Sequence, residues 1–396
     1  MLHSLKSGYA SECMELTLEA YRNIVNYLGS RRDIATLCRV SKGFQYVCER
    51  ALYNTLYLRE IGDTVTVCNT LAKQPRLSIL VDALTINLSD ADSDSDDDSE
   101  RYIRDDSQTM PLPDAYWPTI SSALQKTKRL RYLNIHINKS TDKCVAWILD
   151  DCTFRLRRFH CDLDWDFHLV KFLNTQVDLN DLYMLDYNDI GSVTITNNQS
   201  PSIFLDADSL PNLATLECTF SEAAMTIVPG RPITHLKACF SRSGLFEKRE
   251  EMTILFSKIK LSTRPLRSID IADSTYSEAF SMELLSSIVR YKASTSELRY
   301  IGTLVLPIMG KERLQFYGLL MRLPRVQCVE VEISEWVPAP ASPPAFRALA
   351  SEMRLYTPTV TRVVFVNEFD RTVVSAVNGA YRVETDVNTD LLWREV

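Results

Sequence analysis

The sequence predicts an α/β chain in two parts: a small helical module, then a long array of alternating helices and strands. Three observations carry this. Residues 16–58 hold three successive amphipathic helical patterns. Beyond residue 60, nine short segments of β-type composition recur with helical stretches between them. No glycine-rich loop marks the switch point of a doubly wound sheet, and the chain has only 11 glycines. The unit of helix, turn and strand returns about every 20 to 50 residues, the period of a solenoid.

The helical module comes first. Leu18, Tyr21, Val25 and Leu28 fall at helical spacing, with Ile24 widening the stripe. Thr17 is placed to cap that helix, and Gly29 to end it. Ser30 and Asp33 form a capping box for a second helix carrying Ile34, Leu37 and Cys38. Ser41 can cap a third, in which Phe44, Val47, Cys48 and Ala51 recur on one face. Leu18, Val25, Leu37 and Phe44 are candidates for the inner stripe. Leu16, Ile24, Leu28, Ile34 and Val40 are candidates for an outer, partner-facing set. A unit this small has more apolar positions than its own core can hide.

The stretch resembles the F-box. The residues that carry the likeness are Leu16-Thr17-Leu18-Glu19, Ile24, Tyr27-Leu28, Asp33-Ile34, Val40-Ser41-Lys42-Gly43-Phe44 and Ala51-Leu52-Tyr53. Thr17 stands where the family usually has proline. The resemblance implies an F-box domain over 12–58 that docks on a Skp-type adaptor, and through it on a cullin. It implies adaptor contacts from Leu16, Leu18, Ile24, Leu28, Ile34, Leu37, Val40 and Phe44.

Residues 59–370 form the array. Strands are expected at 84–88, 132–137, 158–163, 215–220, 235–240, 268–273, 303–306, 329–333 and 362–366. Helices are expected at 117–127, 282–292, 312–322 and 346–356. The array resembles an irregular leucine-rich-repeat solenoid. It has that family's L-x-L strand core in Leu133-Asn134-Ile135 and Leu216-Glu217-Cys218, lacks most of its asparagine ladder, and varies in repeat length. An F-box followed by such repeats is similar to the substrate receptors of cullin-type (SCF) ubiquitin ligases. Fungal F-box proteins share the ALY-x-x-LYL junction that runs here from Ala51 to Leu58.

Two segments depart from the repeating pattern. Residues 89–106 hold nine acidic and two basic side chains, a charge of −7, which equals the net charge of the whole chain. A disordered acidic insertion is expected over 89–108, because its composition cannot bury enough apolar surface to offset ordering. Residues 371–396 place Asn378-Gly379 between two β-rich runs, the signature of a hairpin. A C-terminal capping hairpin is expected there, with Trp393 packed against the last repeats.

Several function classes are unsupported. Outside the insertion the chain is neutral, so the basic footprint of a nucleic-acid binder is missing. No apolar run reaches membrane-spanning length. Residues 1–16 lack the basic and apolar blocks of a signal peptide, and the ten cysteines form no C-x-x-C pair. A reduced protein of the cytosol or nucleus is the expectation. No phosphate loop, nucleophile elbow or zincin motif occurs, so neither an enzyme nor a cofactor is expected. Cys152, His160, Cys161 and His168 match no zinc spacing, and adjacent His160 and Cys161 must point to opposite faces of a strand.

Strand alternation defines the expected working surface, the concave face of the horseshoe. It takes in Tyr132, Asn134, His136, Arg158, His160, Asp162, Glu217, Lys237, Asp270, Glu330 and Glu332. Mixed charge with aromatic character suits a protein substrate. The alternative is a non-ligase interaction scaffold whose N-terminal helices only cap the array.

Overall fold

The computed structural model describes residues 16–88, 112–137, 145–185, 204–273, 276–291, 295–368, 370–377, 379–385 and 387–396. The acidic insertion expected at 89–108 lies outside them, as do residues 12–15 of the expected F-box domain.

Helices α1 (Leu18–Asn26), α2 (Arg31–Leu37) and α3 (Lys42–Tyr53) each start on a hydroxyl cap. Thr17 Oγ1 accepts from the Ala20 N–H at 3.3 Å, Ser30 Oγ from Asp33 at 3.4 Å, and Ser41 Oγ from Phe44 at 3.2 Å. Tyr21, Val25, Val47 and Cys48 make the centre of this group, with Ile34, Leu37, Cys38 and Phe44 around them. Tyr21 meets the Phe44 ring edge to face at 4.5 Å between centroids. The fit requires glycine at 43, where a Cβ would lie 2.4 Å from the Tyr21 ring. Arg31 donates to the Leu52 carbonyl at 2.6 Å, and Glu49 of α3 pairs with Arg76.

The rest of the described chain is mixed α/β and forms one open sheet of thirteen strands. In chain order they are β1 (Thr55–Leu58), β2 (Ala83–Asn87), β3 (Tyr132–His136), β4 (Arg158–Cys161), β5 (Asp181–Met184), β6 (Thr215–Cys218), β7 (His235–Cys239), β8 (Ser268–Ala272), β9 (Tyr300–Val305), β10 (Cys328–Glu332), β11 (Arg362–Asn367), β12 (Asp370–Val377) and β13 (Ala380–Glu384). Each pairs with its neighbour in sequence. The pairings from β1 through β11 are parallel, and the last two are antiparallel.

Register turns this order into a straight apolar row. Leu56, Leu84, Leu133, Phe159, Leu182, Leu216, Leu236, Ile269, Ile301, Val329, Val363, Val374 and Val383 are partners in succession across all thirteen strands. A second apolar residue two positions on, such as Ile135, Cys161 or Met184, points to the same face. Three residues before the row lies another buried aliphatic: Val81, Leu130, Leu156, Leu179, Leu213, Ile233, Leu266, Leu298, Val326 and Val360. The unit is therefore Φ-x-x-Φ-x-Φ, where Φ is apolar.

The turns into the strands are tied by main chain. Arg131 O accepts from both Arg157 and Arg158, Arg157 O from Asn180 and Asp181, and Asn180 O from Ala214 and Thr215. The same double acceptance continues at Ala214, Thr234, Arg267, Arg299 and Gln327. These amides are satisfied by main chain alone, and Asn180 and Asn212 add side-chain bonds to neighbouring turn carbonyls, at 3.3 and 2.9 Å.

Helices cover the apolar face. They are α4 (Ile61–Lys73), α5 (Pro75–Ser78), α6 (Tyr116–Leu124), α7 (Phe167–Asn174), α8 (Ser221–Ile227), α9 (Leu245–Ile259), α10 (Glu278–Arg290), α11 (Gly310–Leu320) and α12 (Pro343–Tyr356). Ile120, Leu169, Leu255, Leu285, Phe316 and Met353 from six of them share one continuous core with the strand row. Among the described residues, no helix is long and apolar enough to cross a membrane.

The hairpin of β12 and β13 turns at Gly379, whose φ of +86° is a conformation side chains resist. Val374 and Tyr381 join the main core, and the Tyr381 hydroxyl donates to Val360 O at 2.9 Å. Trp393 packs against Tyr300, Cys328, Val364 and Val373 of the last strands, as expected, while residues 387–396 do not extend the helix-side cover. They cross onto the face opposite the helices, where Thr389–Arg394 forms a 3-10 helix.

Candidate functional site

Two surfaces stand out, and the first is the N-terminal helical group. Its central cluster is small, and several apolar side chains remain in solvent: Leu16 at 49% exposure, Leu18 at 48%, Ile24 at 38%, Tyr27 at 91% and Val40 at 63%. Among the residues expected to meet an adaptor, Leu16, Leu18, Ile24 and Val40 are thus presented outward. Leu28, Ile34, Leu37 and Phe44 are half-buried. Ile34, Leu37 and Phe44 pack on the group's own core. The expected division into inner and outer sets needs two corrections. Leu18 is outside, because Tyr21 fills the centre with a larger ring. Ile34 belongs partly inside, because α2 is short and lays that residue against the α1–α3 contact.

The second surface is the face of the sheet without helices. Its register row reads Asn134, His160, Tyr183, Glu217, Lys237 and Asp270 from β3 to β8. Arg158, Asp181, Thr215, His235, Ser268 and Tyr300 form the row beside it, from β4 to β9. Lys237 lies 3.4 Å from Glu217, and Arg158 lies 3.0 Å from Asp181.

Residues 387–396 lie on this face. Trp393 is buried with Leu392 among Tyr300, Cys328, Val364 and Val373. Arg394 reaches two strands at once: Nη1 donates to Asp181 Oδ2 at 2.5 Å and Nη2 to Glu217 Oε2 at 2.6 Å. His235 Nε2 meets Val396 O at 3.0 Å, and burial lowers the pKa of that imidazole. Arg371 of β12 joins the segment to the sheet, 2.9 Å from Asp390 and 3.3 Å from Glu330.

The electrostatics differ along the track. Burial alone would raise the Asp181 carboxyl, but the Arg394 guanidinium and nearby His160, 3.9 Å away, overcome it and hold the pKa at about 2. At Asp270, Lys237, Arg371 and the Thr303 backbone favour the charged form but are outweighed. Burial first and the charge of Glu330 second push it up to about 6. Its carboxyl lies over Gly302 of β9, where an added Cβ would stand 1.9 Å from Oδ1. Glu330 accepts from the Tyr300 hydroxyl at 2.7 Å and the Thr303 hydroxyl at 2.9 Å.

The expected substrate set is therefore divided. Tyr132 and Arg158 are exposed, and Asn134, His136, His160, Asp162, Glu217 and Lys237 are half-buried. Both oxygens of Asp162 accept from the Ile137 N–H, at 2.9 and 2.7 Å, which ties it to a turn. Asp270, Glu330 and Glu332 were expected in solvent and are buried instead. Alternation assigns Asp270 and Glu330 to the correct face, but Tyr300, Thr303 and Arg371 close over them. Glu332 folds back onto its own turn, accepting from the Ser334 N–H at 2.9 Å.

Sequence reasoning missed Asp181, Tyr183, Tyr300, Arg371 and Arg394 on this face. Cys161 lies in the core while its neighbour His160 faces the polar side, and His168 Nδ1 meets Asp150 at 2.8 Å. Among the described residues, no group of three His, Cys, Asp or Glu side chains is placed to hold a metal ion. No known protein-family model matches the chain, and no curated protein matches its sequence. Chemically, the face pairs carboxylates that can hold cations with an apolar slot that holds a ring.

Proposed function

We propose that this chain is the substrate-recognition subunit of a cullin-type (SCF) ubiquitin ligase. In this reading α1–α3 are an F-box that docks on a Skp-type adaptor, and the strand units form a leucine-rich-repeat-like solenoid that binds a protein substrate. The observation that carries it is the under-filled helical group, with Leu16, Leu18, Ile24 and Val40 in solvent. So small a unit with apolar side chains unhidden gains stability by docking on a partner. The sequential parallel order and the Φ-x-x-Φ-x-Φ unit support the solenoid. Holding a substrate and the ligase on one chain raises their effective concentration, which is the whole task of such an adaptor.

The test is co-expression with a Skp-type adaptor, followed by calorimetry on the purified partners. Binding is expected, and Leu18→Ala with Val40→Ala is expected to weaken it at least tenfold, about 1.4 kcal/mol. Absence of binding at adaptor concentrations of roughly ten times a micromolar Kd sinks the ligase reading. The scaffold reading, with α1–α3 serving only as a cap, then takes its place.

A further inference from the structure

We propose that the polar face of β5–β10 is a docking groove for a protein segment carrying an aromatic residue followed by an arginine, and that residues 387–396 are its resident competitor. The proposal rests on the reading of this face as a substrate surface and is independent of adaptor docking.

The occupant's chemistry defines the ligand. Trp393 fills a slot between Tyr300, Cys328, Val364 and Val373. The next residue, Arg394, forks between carboxylates on two adjacent strands, Asp181 and Glu217. A planar guanidinium suits that arrangement, and a lysine ammonium does not reproduce it. An aromatic–arginine pair is also the side-chain chemistry that concentrates binding energy at protein interfaces.

Three features distinguish a groove with an occupant from a simple structural cover. First, a permanent cover is made more stable by apolar residues than by buried ion pairs, which serve selectivity better than stability. This face nevertheless places Asp181, Glu217, Asp270 and Glu330 on four strands beneath or beside the segment. Second, the fit is incomplete. Trp393 Nε1, Asp181 Oδ1 and Asp270 Oδ1 are buried without a hydrogen-bond partner among the described residues. A ligand with two more donors satisfies the carboxylate oxygens that the resident segment leaves open. Third, the track continues. Beside Arg394 an open cleft of about 660 Å³ is lined by Arg131, Tyr132, Arg157, Arg158, Asp178 and Asp181, so a longer segment than the resident one has somewhere to run.

The segment is held by its own side chains rather than by strand pairing. It makes no ladder with the sheet, and Leu391 at 46% exposure faces away from it. Release of the segment therefore leaves the strand register intact, and a competing segment needs only to displace one short 3-10 helix.

The experiment titrates a fluorescent peptide of sequence VNTDLLWREV, identical to residues 387–396, into two full-length chains. One is unmodified, and the other carries Trp393→Ala with Arg394→Ala. The groove of the unmodified chain is occupied, so the variant is expected to bind the peptide at least tenfold more tightly. Replacing the peptide's arginine by glutamate is expected to remove at least tenfold of that affinity. Equal affinity for the two chains overturns the proposal, as does a peptide indifferent to its arginine. A second measurement guards against misfolding of the variant. In the unmodified chain, amides of residues 390–396 are expected to exchange at least a hundredfold faster than those of β5–β9. Equal protection means the segment is a fixed part of the fold and overturns the proposal. Adaptor binding, measured on the same samples, reports on the ligase reading separately.

Discussion

The helical group at 18–53 and the sheet that follows it solve the same problem in opposite ways. The sheet lines up one apolar residue from each of thirteen strands and covers that row with helices, so row positions such as Phe159, Leu216 and Val363 have no contact with solvent. The helical group encloses only Tyr21, Val25, Val47 and Cys48 fully and leaves Leu18, Tyr27 and Val40 outside. Repetition extends a core indefinitely, since each unit hides the face of its neighbour. Three short helices cannot do so, and their remaining apolar surface is available to a partner. The difference teaches where each proposed function would sit: docking by apolar contact at the helical end, selection by charge on the open side of the sheet.

The comparison is broken most sharply by cutting each core in turn. Phe159→Ala removes a ring in contact with Phe172, 5.6 Å away, from the middle of the row. A cost of about 3–5 kcal/mol is expected, with the whole sheet losing cooperativity in a urea melt. Tyr21→Ala should abolish the helical group alone and leave the sheet's transition in place. If both variants lower a single shared transition, the two regions are one folding unit and the contrast drawn here fails.

The polar face provides a pH-dependent test of smaller size. Asp270 has a folded pKa of about 6, above its ordinary 3.8. A raised carboxyl contributes stability that is fully present below 3.8 and is lost as pH rises through about 6. Asp270→Asn should therefore stabilise the chain at pH 7, by on the order of 1–3 kcal/mol, and have little effect at pH 4. Asp181 has the opposite sign. Its pKa of about 2 means that its contribution is present above 3.8 and is lost as pH falls toward 2. In Arg394→Ala that acid-sensitive contribution should shrink, seen as a flatter stability profile below pH 4. A profile unchanged by Arg394→Ala would show that the ion pair does not anchor the segment.

The smallest effect expected is at a helix cap. Ser41→Ala deletes the hydroxyl that accepts the Phe44 N–H and should cost the helical group about 1 kcal/mol, with the sheet's melt unmoved. The helical group has so little core that a single cap should still be measurable there. A shift below experimental error would mean that α3 is held by packing against the sheet instead.

Much of the fold was legible because two periodicities coexist in the chain. The nine expected strands coincide with β2–β4, β6–β8 and β9–β11, with β9 beginning three residues earlier than expected, at Tyr300 rather than 303. The strands at Thr55–Leu58 and Asp181–Met184 were not among the nine expected. They become visible once the unit is Φ-x-x-Φ-x-Φ: Tyr53-x-x-Leu56-x-Leu58 and Leu179-x-x-Leu182-x-Met184 both obey it. The polar face was legible only in part. Alternation assigns Asp270 and Glu330 to it, but Tyr300, Thr303 and Arg371, 27 or more positions from Glu330, close over them. Arg394 pairs with Asp181 across 213 positions, and no local pattern reports such a meeting.

The contrast between a completed sheet and an incomplete helical group is tested most directly by hydrogen exchange on the full chain, alone and saturated with a Skp-type adaptor. The account predicts that amides of Leu18–Asn26, Arg31–Leu37 and Lys42–Tyr53 gain at least tenfold protection on saturation, while β2–β11 keep theirs. Unchanged protection in the three helices would contradict it, and so would a gain confined to the sheet.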